Sequence, residues 1–446
     1  MAVSDLAAAY AGRRVLVTGH TGFKGSWLAL WLSALDARVA GLALAPDTDP
    51  SHWAQLGLDV DGAIVDVRDA AAVRDAVRRT RPEIVFHLAA QPLVRRSYAE
   101  PAETWAVNVG GTANVLEACR SVGGVRAIVV VTSDKCYEPG GRPGGHRETD
   151  RLGGHDPYSA SKAAAELLVA SWRRSFFSAP GAPLVASARA GNVIGGGDWA
   201  ADRLVPDAVR AVRAGQPLRV RYPAATRPWQ HVLDCLHGYL LLGRALLAGG
   251  RRCADAWNFG PDEGEEHTVA EVLERMRAHW PGLRIESDDD GQPHETRTLR
   301  LNSARARRGL GWRPVWRFDQ ALEMTAEWYG RWLATGEVIS RAQLDAFQRA
   351  VNSADAVDAV DAVDGFDPID AADGIAAADE SDAVDEFDAV GEFDPVDAAD
   401  EVGAIDGFAR IDVAGEIDAA NEVDAIHPLN PGDSADADHA GRPGAG

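Results

Sequence analysis

Residues 13–25 read Arg-Arg-Val-Leu-Val-Thr-Gly-His-Thr-Gly-Phe-Lys-Gly, and they constrain the fold more than any other stretch. The apolar, β-branched run Arg13–Thr18 leads straight into Gly19, Gly22 and Gly25. From Phe23 to Leu35 a segment rich in Leu, Trp and Ala reads as a helix. Strand, glycine-rich turn and helix in that order mark the first crossover of a parallel α/β sheet. Glycine permits the tight turn and lets backbone N–H groups approach a pyrophosphate at the helix N-terminus. The plain alternative, an ordinary tight connection, fits the flanking strand and helix less well.

The alternation continues. Arg38–Leu44, Ala63–Val67, Glu83–Ala89, Val125–Thr132 and Leu184–Ala190 read as strands. Ala70–Thr80, Glu103–Val122 and Pro157–Phe177 read as helices. Nearly continuous apolar strands between amphipathic helices predict an α/β fold, a Rossmann-type doubly wound parallel sheet covered on both faces. Past Asn192 the pattern turns irregular and rich in Arg, Pro and Trp, as a smaller C-terminal substrate-binding lobe would. The expected organisation is therefore a dinucleotide-binding domain over 1–192 and a lobe over 193–350, with segments free to return to the sheet.

Charge sets the third part apart. The chain of 446 residues has a formal net charge of −22, but residues 351–446 hold 27 acids and only two bases, Arg410 and Arg442. The first 350 residues carry a net +3 and all 13 tryptophans and seven tyrosines. Ala-Val-Asp repeats over 356–364, and FDPIDAAD at 366–373 returns as FDPVDAAD at 393–400. Period three matches neither a helix face nor an alternating strand, and low complexity with high like charge predicts a disordered acidic tail over 351–446. A calcium- or partner-binding array is the sharper alternative, but the Asp spacing lacks the glycine turns of calcium loops. The acidic balance argues against nucleic acid as a partner. No uninterrupted apolar run is long enough to span a membrane. The start lacks the pattern of a secretory leader, and Cys119, Cys136, Cys235 and Cys253 show no metal spacing, so a cytoplasmic protein with reduced thiols and no metal is expected.

Only three of the 45 basic residues are lysines, Lys24, Lys135 and Lys162. In a chain that otherwise writes Arg, they mark candidate positions where a compact, tunable ammonium is needed. Lys24 lies in the glycine turn. Lys162 closes Tyr158-Ser159-Ala160-Ser161-Lys162, behind Asp156 and Pro157 as helix cap and first-turn proline, so Tyr158 and Lys162 stand one turn apart. A phenol next to an ammonium can act as a base toward a hydroxyl. Lys135 belongs to Thr132-Ser133-Asp134-Lys135 at the carboxyl end of a strand, where ligands of open α/β sheets sit. Ser133 can bond a reacting hydroxyl. Asp134 and Lys135 add an acid/base pair beyond what dehydrogenation needs, which suggests elimination of water beside a new ketone. Residues 40–50 contain no Arg or Lys for a 2′-phosphate, which favours NAD over NADP. Asp66 and Val67 could hold an adenine, or Asp66 could cap the next helix. Arg203, Arg219, Arg221, Arg227, Trp229, Gln230 and His231 form a later cluster in which Arg forks suit a pyrophosphate and Trp229 or Tyr222 a base.

On these motifs, with FHLAAQPLVRRSY, GGHDPYSASKAAAE, RAGNVIGGGDW, DRLVPD and RPWQHVL, the sequence resembles the extended short-chain dehydrogenase/reductase family, and within it the dehydratases acting on CDP-glucose. The resemblance runs from about Gly12 to Trp332 and leaves the tail unexplained. Its departure is Ala45, where many NAD-binding relatives carry Asp. It implies NAD held by Gly19, Thr21, Gly22, Phe23, Gly25, Asp66, Val67, Leu88, Ala89, Ala90, Tyr158 and Lys162. It further implies CDP-glucose held by Gln91, Asn192, Arg203, Arg219, Arg227, Gln230 and His231, and catalysis by Ser133, Asp134, Lys135, Tyr158 and Lys162. A homodimer through a four-helix contact of Glu103–Val122 and Pro157–Phe177 is also implied. A nucleotide-sugar 4-epimerase, a dehydratase for another nucleotide sugar, and a dinucleotide-sensing regulator are the alternatives. The first has no use for Asp134 and Lys135, and the last commonly loses the Tyr/Lys pair.

Overall fold

In the computed structural model the described residues are 3–140, 143–287 and 299–364, with side chains described to residue 354. The chain divides into two units, residues 1–369 and 370–446, and the second lies outside the described residues, as does most of the expected disordered tail.

Seven parallel strands form the central sheet: β1 (Arg14–Thr18), β2 (Arg38–Ala43), β3 (Asp61–Ile64), β4 (Ile84–His87), β5 (Ala127–Val131), β6 (Leu184–Ala190) and β7 (Ala256–Phe259). Their order is β7-β6-β5-β4-β1-β2-β3, so the chain winds outward from β1 in both directions. Register sets Thr18 beside both Leu42 and His87, and Val131 beside Ala188, which aligns the carboxyl ends of β1, β4, β5 and β6. Burial on both faces explains the unbroken apolar runs: every residue of β4, β5, β6 and β7 is buried. The expected doubly wound fold is the one observed.

Two clusters cover the sheet. One gathers Trp27, Leu28 and Trp31 with Leu236, Tyr239, Trp312 and Trp328. The other gathers Val73 and Val77 with Val115, Leu116, Cys119 and Val169. Helix Val232–Leu247 is apolar almost all round and lies in the first cluster, which is why it carries no polar face.

Two boundaries differ from expectation, and one later segment returns to the sheet as expected. The third strand ends at Ile64 rather than Val67 and lies at the sheet edge, so Asp66 and Val67 belong to the connection beyond it. β7, from the later part of the chain, pairs with β6 and extends the sheet of the first domain. The last helix spans Ser340–Asp364, across the expected end of the body at 350. Val351 is 2 % exposed in the first cluster, and Asn352 Oδ1 accepts a hydrogen bond from the Val3 N–H at 2.9 Å. The charge count located the change of composition, but packing carries the body past it.

His237 stacks against Trp31, with ring centroids 6.0 Å apart, and neither ring nitrogen has a hydrogen-bond partner among the described residues. Burial pushes its pKa from 6.5 down to about 3, so the folded ring stays neutral while the unfolded ring gains a proton below 6.5. Its depressed folded pKa therefore removes stability as pH falls from 6.5 toward 3. His237→Phe should unfold at a higher temperature than the parent at pH 5, with the difference shrinking by pH 7.5. Melting curves of both chains across that range provide the check, and a pH-independent difference would refute it.

Candidate active site

At the end of β1 the backbone reverses through Gly19, φ +73°, so close to the end of β4 that a Cβ there would lie 2.7 Å from the Ala89 nitrogen. A Cβ on Gly25 would stand 2.0 Å from the Gly19 carbonyl oxygen, so the turn and the first turn of the next helix touch through glycine alone. Helix Phe23–Ala34 is N-capped by Gly22 without any side-chain hydrogen bond. Its first N–H groups thus lack the side-chain acceptor that Ser or Asp would supply. Gly19, Thr21, Gly22, Phe23 and Gly25 line a cavity of about 600 Å³, together with Leu88, Ala89 and Ala90 after β4 and Asp66 and Val67 after β3. Helix Ala70–Thr80 is capped by Asp69, whose carboxylate accepts from the Ala71 and Ala72 N–H groups. Asp66 is therefore not the cap. Its carboxylate faces Arg68, whose guanidinium hydrogen bonds hold it below the usual carboxylate range. Ala45 and Leu44 line the cavity just past the end of β2, and the first acid beyond that end, Asp47, lines it as well. The glycine cradle at an uncapped helix N-terminus fits a dinucleotide pyrophosphate.

The chemistry-bearing residues converge on the same cavity, which Lys24, Ser133, Asp134, Lys135, Tyr158 and Lys162 all line. Ser133 caps a single turn, Asp134–Cys136, just beyond β5: its Oγ accepts from the Lys135 N–H at 3.2 Å and donates to Asp134 Oδ1 at 3.0 Å. Helix Pro157–Ser175 starts at Asp156, which accepts from the Ser159 N–H at 2.9 Å, and presents Tyr158 and Lys162 one turn apart. Burial pushes the Tyr158 phenol up to about 12, while a hydrogen bond with Ser133 and, more weakly, the Arg203 charge act to lower it and Asp134 acts to raise it. Burial and the neighbouring Lys24 bring Lys162 down to about 8. Its ammonium points at the Val131 carbonyl, 3.5 Å away. Asp134 is 3 % exposed, its Oδ2 has no partner among the described residues, and burial raises its pKa against the pull of Lys135, Ser133, Arg227 and Lys24. Burial thus favours the protonated form of this carboxyl relative to an exposed aspartate. All three lysines fall at one site.

Toward the lobe, Asn192, Arg203, Arg219 and Arg227 line the cavity beside Arg221, Tyr222 and Trp229. Arg203 is paired with Asp198 at 3.1 Å. Gln91 also lines the cavity, but its amide is occupied by Leu93 and Thr104. Gln230 and His231 do not line it. Gln230 donates to the Phe259 carbonyl at 2.8 Å. His231 accepts from the Leu233 N–H at 3.2 Å as the cap of helix Val232–Leu247 and packs on Trp316. The chain turns directly from Trp229 into a buried helix, and these side chains anchor its start, with Gln230 Oε1 and His231 Nε2 left without a partner among the described residues.

One buried feature escaped the reading of the sequence. The expected helix Glu103–Val122 is present and runs on from Pro101 without a break, but it changes from α (Pro101–Trp105) to a π-turn (Ala106–Gly111) and back to α (Thr112–Val122). Asn108 in the π-turn accepts from the Gln91 N–H at 2.8 Å and donates to Ser161 Oγ at 2.9 Å, tying the loop after β4 to the Tyr158 helix. The signal was Gly110-Gly111 inside a helical pattern, a pair that a regular helix interior disfavours.

Residues 15–260 match the model of the NAD dependent epimerase/dehydratase family. The chain is 44% identical over 329 residues to a CDP-glucose 4,6-dehydratase of Salmonella typhimurium, covering 72% of this chain and 92% of the relative. It is 28% identical to a dTDP-glucose 4,6-dehydratase of Xanthomonas campestris, covering 70% and 92% of the two chains. Among solved structures, the Thermus thermophilus UDP-glucose 4-epimerase in complex with NAD superposes with a TM-score of 0.62 at 27% identity, covering 71% and 99%. A dTDP-glucose 4,6-dehydratase of Streptomyces venezuelae with NAD bound gives 0.60 at 27%, covering 71% and 97%. With the glycine cradle and the Ser133, Tyr158 and Lys162 arrangement in place, this chain belongs to the NAD dependent epimerase/dehydratase family.

Proposed function

We propose that this chain converts CDP-D-glucose to CDP-4-dehydro-6-deoxy-D-glucose and water. The observation that carries the reading is the pair Asp134 and Lys135 in one cavity with Ser133, Tyr158 and Lys162. A 4-epimerase needs only the last three. Ser-Asp-Lys at 133–135, in place of the Thr-Asp-Glu common in dehydratases of other sugar nucleotides, supports CDP-glucose as substrate, as does the 44% identity to a CDP-glucose 4,6-dehydratase.

The cradle of Gly19, Gly22 and Gly25 with Asp66 and Val67 would hold NAD. When bound, NAD supplies the hydride acceptor and donor for C4 and C6, and its positive nicotinamide favours the phenolate that burial opposes. Tyr158, beside Ser133 in the same cavity, takes the 4-hydroxyl proton. The 4-ketone acidifies C5, and Lys135 removes that proton and returns it to C5 after the 6-hydroxyl has left. Asp134, whose burial favours the protonated carboxyl, delivers a proton to the departing 6-hydroxyl, and water leaves. Asn192, Arg203, Arg219 and Arg227 hold the sugar nucleotide, the guanidinium forks facing its pyrophosphate. Leu167 and Trp105, 61% and 42% exposed on the two long helical segments, support a homodimer through those helices. Sedimentation should give twice the chain mass, and Leu167→Glu should return it to one.

Purified protein supplied with CDP-glucose should form a 4-keto-6-deoxy sugar, read by its alkaline absorbance, at least about a hundredfold faster than with dTDP- or GDP-glucose, a discrimination of roughly 2.7 kcal/mol. Equal rates, or 4-epimer without keto sugar, would overturn the reading. Lys135→Ala should lose wash-in of solvent deuterium at C5, while Asp134→Asn should retain the wash-in and lose elimination by about two orders of magnitude. The opposite pattern would exchange the two roles.

A further inference from the structure

A chain of four hydrogen bonds, buried except at its last carbonyl, runs from the root of the last helix into the glycine turn, through a histidine that the chemistry above does not use. Trp328 Nε1–H donates to Ser340 Oγ at 2.8 Å, and Ser340 Oγ lies 2.8 Å from His52 Nε2. His52 Nδ1 lies 2.7 Å from Ser26 Oγ, which donates to the Phe23 carbonyl at 2.9 Å. An indole N–H can only donate and a carbonyl can only accept, and each hydroxyl has one proton. With a neutral imidazole, one assignment then satisfies all four bonds: Ser340 donates to Nε2, and Nδ1–H donates to Ser26. Ser26 and Ser340 are wholly buried and His52 is 2 % exposed, so no water can replace a lost member without opening the core. Burial also takes the His52 pKa down to about 3, consistent with that neutral form.

The relay ends where the dinucleotide would be seated. Phe23 is the first residue of the helix whose uncapped N-terminus faces the cavity, and Phe23 itself lines it. His52 also packs against the loop after β6: a Cβ on Gly197 would stand 2.4 Å from its ring, and one on Gly195, which lines the cavity, would lie 2.8 Å from Val232 and 3.4 Å from Phe23. Only glycine lets the loop after β6 lie this close to the imidazole. We propose that Ser340 and His52 are positioning residues for the dinucleotide, the last helix fixing the glycine turn through this relay. The inference rests on the cofactor of the family and not on which sugar nucleotide is the substrate.

The test measures NAD itself. Full-length Ser340→Ala leaves His52 Nε2 without its donor and should bind NAD about tenfold more weakly in equilibrium dialysis, with less NAD retained per chain on purification. Ser340→Thr, which keeps the hydroxyl, should restore parental affinity. Gln343→Ala serves as control, because it removes a bond from the same helix to the Met324 carbonyl, 2.7 Å, without touching the relay. It should lower the melting temperature and leave NAD affinity unchanged. If Ser340→Ala does not fold, His52→Asn replaces it, since Asn can still donate toward Ser26 but cannot reach Ser340. NAD affinity within twofold of the parent in the folded variant, or an equal loss in Gln343→Ala, would overturn the proposal.

Discussion

The active site depends on one buried ion pair. Glu166 and Arg189, 3 % exposed each, meet at 2.8 Å between the Tyr158 helix and β6. Burial works to neutralise Glu166, but the Arg189 charge and hydrogen bonds from Arg189, Thr132 and Ser187 hold its carboxyl below the usual range. Thr132 donates at 2.5 Å and immediately precedes Ser133, and Glu166 lies one turn beyond Lys162 on the same helix. The pair therefore fixes the distance between the strand end that carries Ser133 and Asp134 and the helix that carries Tyr158 and Lys162. Arg189 also donates to Tyr137, which donates to Asn258 on β7, so the excursion after Asp134 is tied to the same centre. Such a pair adds little net stability over a well-packed apolar substitute, yet removing one partner costs about 3–5 kcal/mol. Its value here is geometric.

That network explains what could and could not be seen in the sequence. The strands, the glycine turn and the Tyr158–Lys162 spacing were legible because each depends on local periodicity or a short motif. The three lysines were legible for a different reason: in a chain that favours Arg, their retention exposes the positions. Glu166 and Arg189 were not legible, since a Glu in an amphipathic helix and an Arg in a strand look solvated until the tertiary fold buries both. Gln230 and His231 show a structural role that the sequence did not. Polar residues after a tryptophan looked like a binding cluster, but helix Val232–Leu247 needs a cap, and His231 supplies it.

The tyrosine and its lysine also behave differently from their spacing alone. One helical turn suggested an ammonium acting directly on a phenol. In the folded chain the Lys162 ammonium faces the Val131 carbonyl and Lys24, while Ser133 leads the groups that favour the phenolate. The electrostatics of the site are thus shared among residues from the glycine turn, the end of β5 and the Tyr158 helix, and no single pair sets them.

The π-turn at Ala106–Gly111 has a consequence for how this stretch can change over time. A π-turn is the footprint of one additional residue in a helix, and each residue turns the remainder of the helix by about 100°. Losing one residue here would restore a regular helix but swing Thr112, Val115, Leu116, Ala118 and Cys119, all now buried, out of their seats. It would also remove Asn108 from the loop it ties down. Substitutions can accumulate along these helices one at a time, whereas a single-codon deletion would have to be matched at once by another change. The segment is therefore locked in length more tightly than in sequence.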